Sequence, residues 1–185
     1  MKIAITGNTD GVGKSIFEKL IKEFDVLGLS RSNGYDIKNV DEIIEQIEDC
    51  DVFINNAFQK NYQTLLFEKL FNKWKFSPKI IINMNSSCVY EPSDWNPLYA
   101  DSKKEFREVS MNIVRSNIDK RVRVTNLYPS TLSSHIGFET LNKIDIEHVS
   151  DIIYWLIMQP IEIEIREMSI YCTTLKKEFE INKLI

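Results

Sequence analysis

Cysteine is scarce: Cys50, Cys88 and Cys172 are scattered through 185 residues and form no Cys-x-x-Cys pair. That gives no disulfide framework and points to a reducing, cytoplasmic setting. Histidine is scarcer still, with His135 and His148 alone and no metal-ligand spacing around either, so a catalytic metal is not indicated. Positive charge is not in excess. Against 23 Lys and Arg stand 27 Asp and Glu, a net charge of −4, which gives a nucleic-acid partner no electrostatic support. The longest apolar run, "IIYWLIM" at Ile152–Met158, is too short to span a bilayer, so no membrane association is expected. Met1 leads directly into a strand-like segment, which leaves no room for a signal peptide. Repeats, low-complexity stretches and linkers are also missing, and one domain over 1–185 is expected. The 43% hydrophobic and 27% charged residues are those of a globular chain able to bury a core.

Six short apolar runs recur: "KIAIT", "DVLGLS", "DVFIN", "KIIINM", "RVRVTNLY" and "EMSIYC". Between them apolar residues repeat at helical spacing, as at Ile16, Phe17, Leu20, Ile21 and Phe24, and at Val40, Ile43, Ile44 and Ile47. Further helices are expected over Asn61–Lys75, Pro97–Asn117 and Ile146–Met158, with Asn96-Pro97 reading as an N-cap before a first-turn proline. Continuously apolar strands separated by helices imply an α/β fold, a doubly wound Rossmann-type parallel sheet covered on both faces.

Glycine is sparse, six in all, but three fall in "TGNTDGVGKS", Thr6–Ser15, between the first strand and first helix. Such a loop presents backbone amides to a phosphate. An NTPase P-loop needs glycine five positions before Gly13-Lys14-Ser15, and Asn8 stands there. It also needs a carboxylate ending a later strand to hold magnesium, whereas "VFINN" and "IIINMNSS" end in Asn and Ser. The P-loop reading fails on both counts.

The spacing Thr6-Gly7-x-x-x-Gly11-x-Gly13 resembles the short-chain dehydrogenase/reductase family instead, and the resemblance continues along the chain. "NNAF" at Asn55–Phe58 is similar to the family's Asn-Asn-Ala-Gly, "INMNSS" to its serine-bearing strand, "YADSK" to its Tyr-x-x-x-Lys, and "YPSTLSS" to its Pro-Gly-x-x-x-Thr. The four stand in the family's order, each at the end of the corresponding strand or helix. The resemblance implies a nicotinamide dinucleotide lying along Gly7, Asn8, Thr9, Asp10, Gly11 and Val12, then Asn56, Ala57 and Phe58, then Pro129, Ser130 and Leu132. It also implies Asp36-Ile37 at the adenine.

The second strand ends "GLSRS", with no acid before Asp36. A carboxylate at that place accepts from the 2′-hydroxyl of NAD, whereas an arginine accommodates the 2′-phosphate of NADP. Arg31 and Ser32 therefore favour NADP(H), with NAD(H) as the other possibility. Asp10 argues against NADP, because many NADP-preferring relatives have a basic residue there. The plain alternative is that Arg31 is a solvated surface charge.

Tyr99 and Lys103 are four apart, on one helix face. The resemblance makes Tyr99 the acid and base of a hydride transfer at a carbonyl or alcohol carbon. A tyrosine needs its pKa brought toward neutrality for that work, and a neighbouring ammonium would do it. Lys103 also grips the nicotinamide ribose in the family. Ser86, thirteen residues before Tyr99, corresponds to the serine that polarises the substrate oxygen, although a polar turn after a strand explains "NSS" equally. Asn61 corresponds to the family's relay asparagine, or is only a helix cap.

Phe58 and Ser130 replace glycines of the family, which narrows the nicotinamide side of the cleft. The helix before Ser86 and the segment from His135 to Ile146 are compressed, so an open, shallow substrate pocket is expected. The leading reading is an NADP(H)-dependent oxidoreductase acting on a small-molecule carbonyl or alcohol. A non-catalytic dinucleotide-binding protein of the same fold is the alternative. The apolar residues Leu66, Phe67, Leu70, Phe71 and Trp74 exceed what one sheet face requires, which suggests a homodimer or homotetramer.

Overall fold

The computed structural model describes residues 1–90, 96–135 and 142–173. Residues 136–141, inside the segment expected to be compressed, lie outside the described residues. Strands β1 (Lys2–Thr6), β2 (Asp25–Leu29), β3 (Val52–Asn55), β4 (Ile80–Met84), β5 (Arg123–Pro129) and β6 (Glu167–Ile170) form one parallel sheet, in the order β2-β1-β3-β4-β5-β6. Helices α1 (Gly11–Leu20), α2 (Val40–Gln46), α3 (Tyr62–Trp74), α4 (Pro97–Ser116) and α5 (Ile146–Ile157) make the connections. Helices α2 to α5 lie within two residues of their expected limits, whereas α1 ends at Leu20, short of the Ile21 and Phe24 that the spacing assigned to it. Asn96 caps α4, its side-chain oxygen accepting from Tyr99 N at 3.1 Å, with Pro97 as the first helical residue.

The strands alternate between two cores, as a period of two dictates. Ile3, Ile5, Val52, Ile54, Ile80 and Ile82 pack on one face with Ile16 and Leu20 of α1 and Val149, Ile153 and Leu156 of α5. Ala4, Phe53, Ile81 and Val124 face α2, α3 and α4 on the other. The sheet is doubly wound, as the apolar runs require.

One expectation loses its support here. Leu66, Phe67, Leu70, Phe71 and Trp74 are all between 0% and 2% exposed within the single chain. The wide apolar stripe of α3 is consumed by Phe53, Phe106 and the α2 isoleucines, and leaves no surplus for a second copy. Among the described residues, no helix is long and apolar enough to cross a membrane.

Strand β1 pairs with β2 on one side and β3 on the other, so the winding direction reverses between β1 and β3. In such sheets the crevice outside the carboxyl ends of the strands, at the reversal, is where ligands bind. The glycine loop follows β1 at this place.

Candidate functional site

The loop between β1 and α1 is shaped by two glycines with left-handed backbone, Gly7 at φ +72° and Gly11 at φ +52°, a region open to glycine and strained for most other residues. Gly13 is needed for space. A Cβ there would stand 2.0 Å from Gly7 O and 2.4 Å from Asn56 Nδ2. Asn56 ties the loop to the end of β3, donating from Nδ2 to Thr6 O (3.0 Å) and Gly7 O (3.2 Å). Thr6 returns the tie, its Oγ1 accepting from the amides of Asn56 and Ala57 at 3.0 Å each. Asp10 caps α1, accepting from Gly11 N at 2.7 Å. The helix so capped starts beside Thr9 and Asp10, which line the crevice, so its positive end lies at the crevice edge.

A cavity of about 930 Å³ opens over this loop. Gly7, Thr9, Asp10, Arg31, Ser32, Ile37, Asn56, Ala57 and Phe58 line it, together with Thr6, Ser30, Tyr35, Ile43 and Gln59. Arg31 and Ser32 sit on a short 3₁₀ turn (Arg31–Asn33) that is pinned from within. Asn33 accepts from Ser30 N at 2.7 Å and donates to Gly28 O at 2.7 Å, and the Ser30 and Ser32 hydroxyls pair at 3.0 Å. The cation and hydroxyl therefore stand on a rigid edge of the cavity.

Asn8, Gly11 and Asp36, expected at the cofactor, line neither this cavity nor the smaller one over the ends of β4 and β5. Asp36 turns onto its own loop, accepting from Lys38 N at 3.0 Å, and does not line the cavity. Asn8 is buried against Gly28, where a Cβ would come within 2.2 Å of Asn8 Nδ2.

A second cavity, of about 140 Å³, lies over the ends of β4 and β5. It brings together Val12, Asn56, Phe58, Ser86, Tyr99, Lys103, Pro129, Ser130 and Leu132, with Met84, Asn85 and His135. Ser86 is bonded to the Tyr99 hydroxyl and also accepts from Cys88 N at 3.3 Å. Lys103 is 3% exposed. Its Nζ donates to Gln63 Oε1 at 2.8 Å and to Met84 O at 2.9 Å.

Gln63, not Asn61, is the α3 side chain that reaches the lysine. Asn61 is exposed at the helix N-cap and makes no capping bond there. The Gln63 amide has no freedom to flip: its Nε2 donates to Asn55 O (2.8 Å) and Met84 O (2.9 Å), so Oε1 must face Lys103. Behind it a row of fully buried amides crosses three strands. Asn55, Asn83 and Asn126 are register partners on β3, β4 and β5, linked by Asn55 Nδ2 to Asn83 Oδ1 (3.3 Å) and Asn83 Nδ2 to Asn126 Oδ1 (3.1 Å). Ser110 of α4 closes the row, donating to Asn126 Oδ1 at 2.8 Å. Such a network holds the strand ends in fixed positions under the site.

The electrostatics of the unliganded cleft differ from the expectation. Burial pushes the Tyr99 phenol up to about 12, Cys88 adds to the rise, and only the Ser86 bond opposes it. Burial pushes Lys103 down to about 7. The ammonium does not draw the phenol toward neutrality, because its donors are turned to Gln63 and Met84 and its nitrogen lies 5.6 Å from the Tyr99 ring centre. Tyr99 therefore keeps its proton at neutral pH. That is the state of an acid, ready to donate to an oxygen that is gaining charge.

No protein-family model and no curated protein matches the chain. Solved structures do. Serine dehydrogenase from Escherichia coli superimposes at 17% identity over 92% of this chain and 97% of its own, with a TM-score of 0.74. A short chain dehydrogenase from Burkholderia cenocepacia J2315, in complex with NADP, covers 92% of this chain and 88% of its own at 18% identity and a TM-score of 0.76. The fold is that of the short-chain dehydrogenases/reductases. A third such structure, 4-hydroxyisoleucine dehydrogenase complexed with NADH, matches at 16% identity over 91% of this chain and 96% of its own, with a TM-score of 0.76. The neighbours thus include complexes with each dinucleotide.

Proposed function

We propose that this chain is an NADP(H)-dependent oxidoreductase that reduces a small carbonyl compound or oxidises the matching alcohol. The observation that carries the reading is the convergence of Ser86, Tyr99 and Lys103 on one small cavity beside a glycine-loop crevice. The crevice fits a dinucleotide in three respects: glycines leave room for close approach, the positive end of a helix lies at its edge, and a cationic rim stands at its far end.

When bound, the nicotinamide supplies or takes the hydride. The chain supplies the proton and the field. Ser86 holds the substrate oxygen within reach of Tyr99, and Tyr99 gives its proton to that oxygen as negative charge develops there. Lys103, held by Gln63 and Met84, keeps a positive charge 5.6 Å from the Tyr99 ring centre whenever it is protonated. The backbone carbonyl and the neutral amide orient it without neutralising it. Assay of a carbonyl and alcohol panel with NADPH and NADP⁺ tests the reading directly. Tight NADPH binding with no turnover anywhere on the panel would favour the non-catalytic alternative, which the small size of the catalytic cavity supports.

Cofactor choice rests on Arg31 and Ser32. NADPH is expected to bind more tightly than NADH, and Arg31→Ala to remove about ten- to hundredfold of that preference, the worth of one charge-assisted bond to phosphate. Calorimetry with both cofactors reads it, and tighter NADH binding by the unaltered chain would reverse the assignment.

Asp10 works against the same phosphates. Its carboxylate satisfies Gly11 N but sets a negative charge at the end of α1 where the pyrophosphate would lie. Asp10→Ser keeps a capping oxygen and removes the charge, so NADPH affinity is expected to rise about two- to fivefold. The gain should shrink at high salt, because the site is exposed. Unchanged affinity at low salt would place the phosphates away from this helix end.

A further inference from the structure

The two cavities of the cleft share only Asn56 and Phe58 among their lining residues. Asn56 is immobilised by its bonds to Thr6 and Gly7. Phe58 is held by ring contacts: its ring meets Tyr99 edge-on, with centroids 4.8 Å apart at 76°, and lies 5.1 Å from Lys103 Nζ. It is 41% exposed, with solvent on its outer side to swing into. The larger cavity alone reaches the ~300–1,000 Å³ typical of ligand sites, and the catalytic one falls short of it. A dinucleotide spanning Arg31 to Tyr99 passes from one cavity to the other along Asn56 and Phe58, the residues that line both.

We infer that Phe58 sets the choice between mononucleotide and dinucleotide: with its ring on Tyr99 and Lys103, the cleft takes an adenosine phosphate alone. The nicotinamide half enters only when the ring leaves those contacts. This rests on the dinucleotide reading above and adds a residue that discriminates by the length of the nucleotide. Its consequence is that the nicotinamide half contributes little net affinity in the unaltered chain, because its contacts replace those of the ring.

Calorimetry with adenosine 2′,5′-bisphosphate and with NADPH tests the inference without any substrate. The unaltered chain should bind the two within about threefold of each other. Phe58→Gly should tighten NADPH by about tenfold, the worth of an aromatic pair plus a cation–π contact. The bisphosphate should stay within twofold, since the ring lies at the far end of its cavity. Phe58→Ala should behave alike, which separates loss of the ring from the added backbone freedom of glycine. Weaker NADPH binding in both variants would overturn the inference, because the ring would then be a platform for the nicotinamide. Equal shifts for both ligands would overturn it as well. If no form of the chain binds the bisphosphate, the dinucleotide reading falls and takes this inference with it.

Discussion

Tyr99→Phe is expected to lower turnover on a verified substrate by about 10²–10⁴-fold while leaving NADPH affinity nearly unchanged. The substitution deletes one hydroxyl and keeps the ring that packs edge-on against Phe58. It also leaves untouched the Asn96 cap, which bonds the Tyr99 backbone. The glycine loop and the Arg31 edge lie in the other cavity and do not depend on the phenol. The lost group is the one whose proton sits beside Ser86, on a phenol that burial keeps protonated. Ser86→Ala should also lower turnover with little change in cofactor affinity, since the hydroxyl positions substrate oxygen and touches no phosphate. Stopped-flow turnover with calorimetry on the same preparations separates the two quantities. Full turnover in Tyr99→Phe would show that the proton comes from elsewhere.

The fold was legible because its signals are local and repeated. Apolar strands of alternating facing, the Asn96-Pro97 start and the Tyr-x-x-x-Lys spacing each follow from helix and strand periodicity within one segment. What escaped depends on contacts between segments. Gln63 and Asn61 are two positions apart on α3, and only the placement of the helix start over β3 and β4 decides which one meets Lys103. Asn126 became part of the site because its register partner is Asn83, and register between distant strands is not written in either strand alone. Tyr35 lines the larger cavity through the same kind of long-range placement. Asp36 shows a local effect instead: its side chain closes a turn onto Lys38 N, and such Asx turns compete with a distant partner. The α3 stripe read as surplus because of its width, whereas Trp74, Phe71 and Phe67 belong to the core shared with Phe106 and the α2 isoleucines.

Lys103→Met is expected to abolish the rise in stability that the unaltered, unliganded chain shows between pH 7 and pH 9. The lysine is fully buried, and its value falls from 10.5 to about 7 because desolvation penalises the ammonium. In the unfolded chain it stays protonated up to the ordinary value, so between about 7 and 10.5 the unfolded state binds the extra proton. Stability therefore climbs with pH across that window, and what is gained is lost again as pH falls through the folded value. With the folded lysine half protonated at pH 7, the gain from pH 7 to pH 9 is roughly 2 kcal/mol. For a chain of this size that is a melting temperature about 5–10 °C higher at pH 9, beyond whatever other groups contribute. Methionine fills similar volume, carries no proton, and leaves Gln63 Oε1 without its donor, while Met84 O keeps the bond from Gln63 Nε2. Its absolute stability mixes a relieved desolvation with two lost bonds, whereas its slope with pH does not. The slope is thus a measure of Lys103 alone, taken as the difference between variant and parent melting curves at each pH. Parallel curves would mean that the lysine holds its proton throughout, and that the site has its positive charge in place before any cofactor arrives. A slope confined to the parent would mean that the cleft disfavours its own cation, and that the charge Tyr99 needs is completed only in the loaded site.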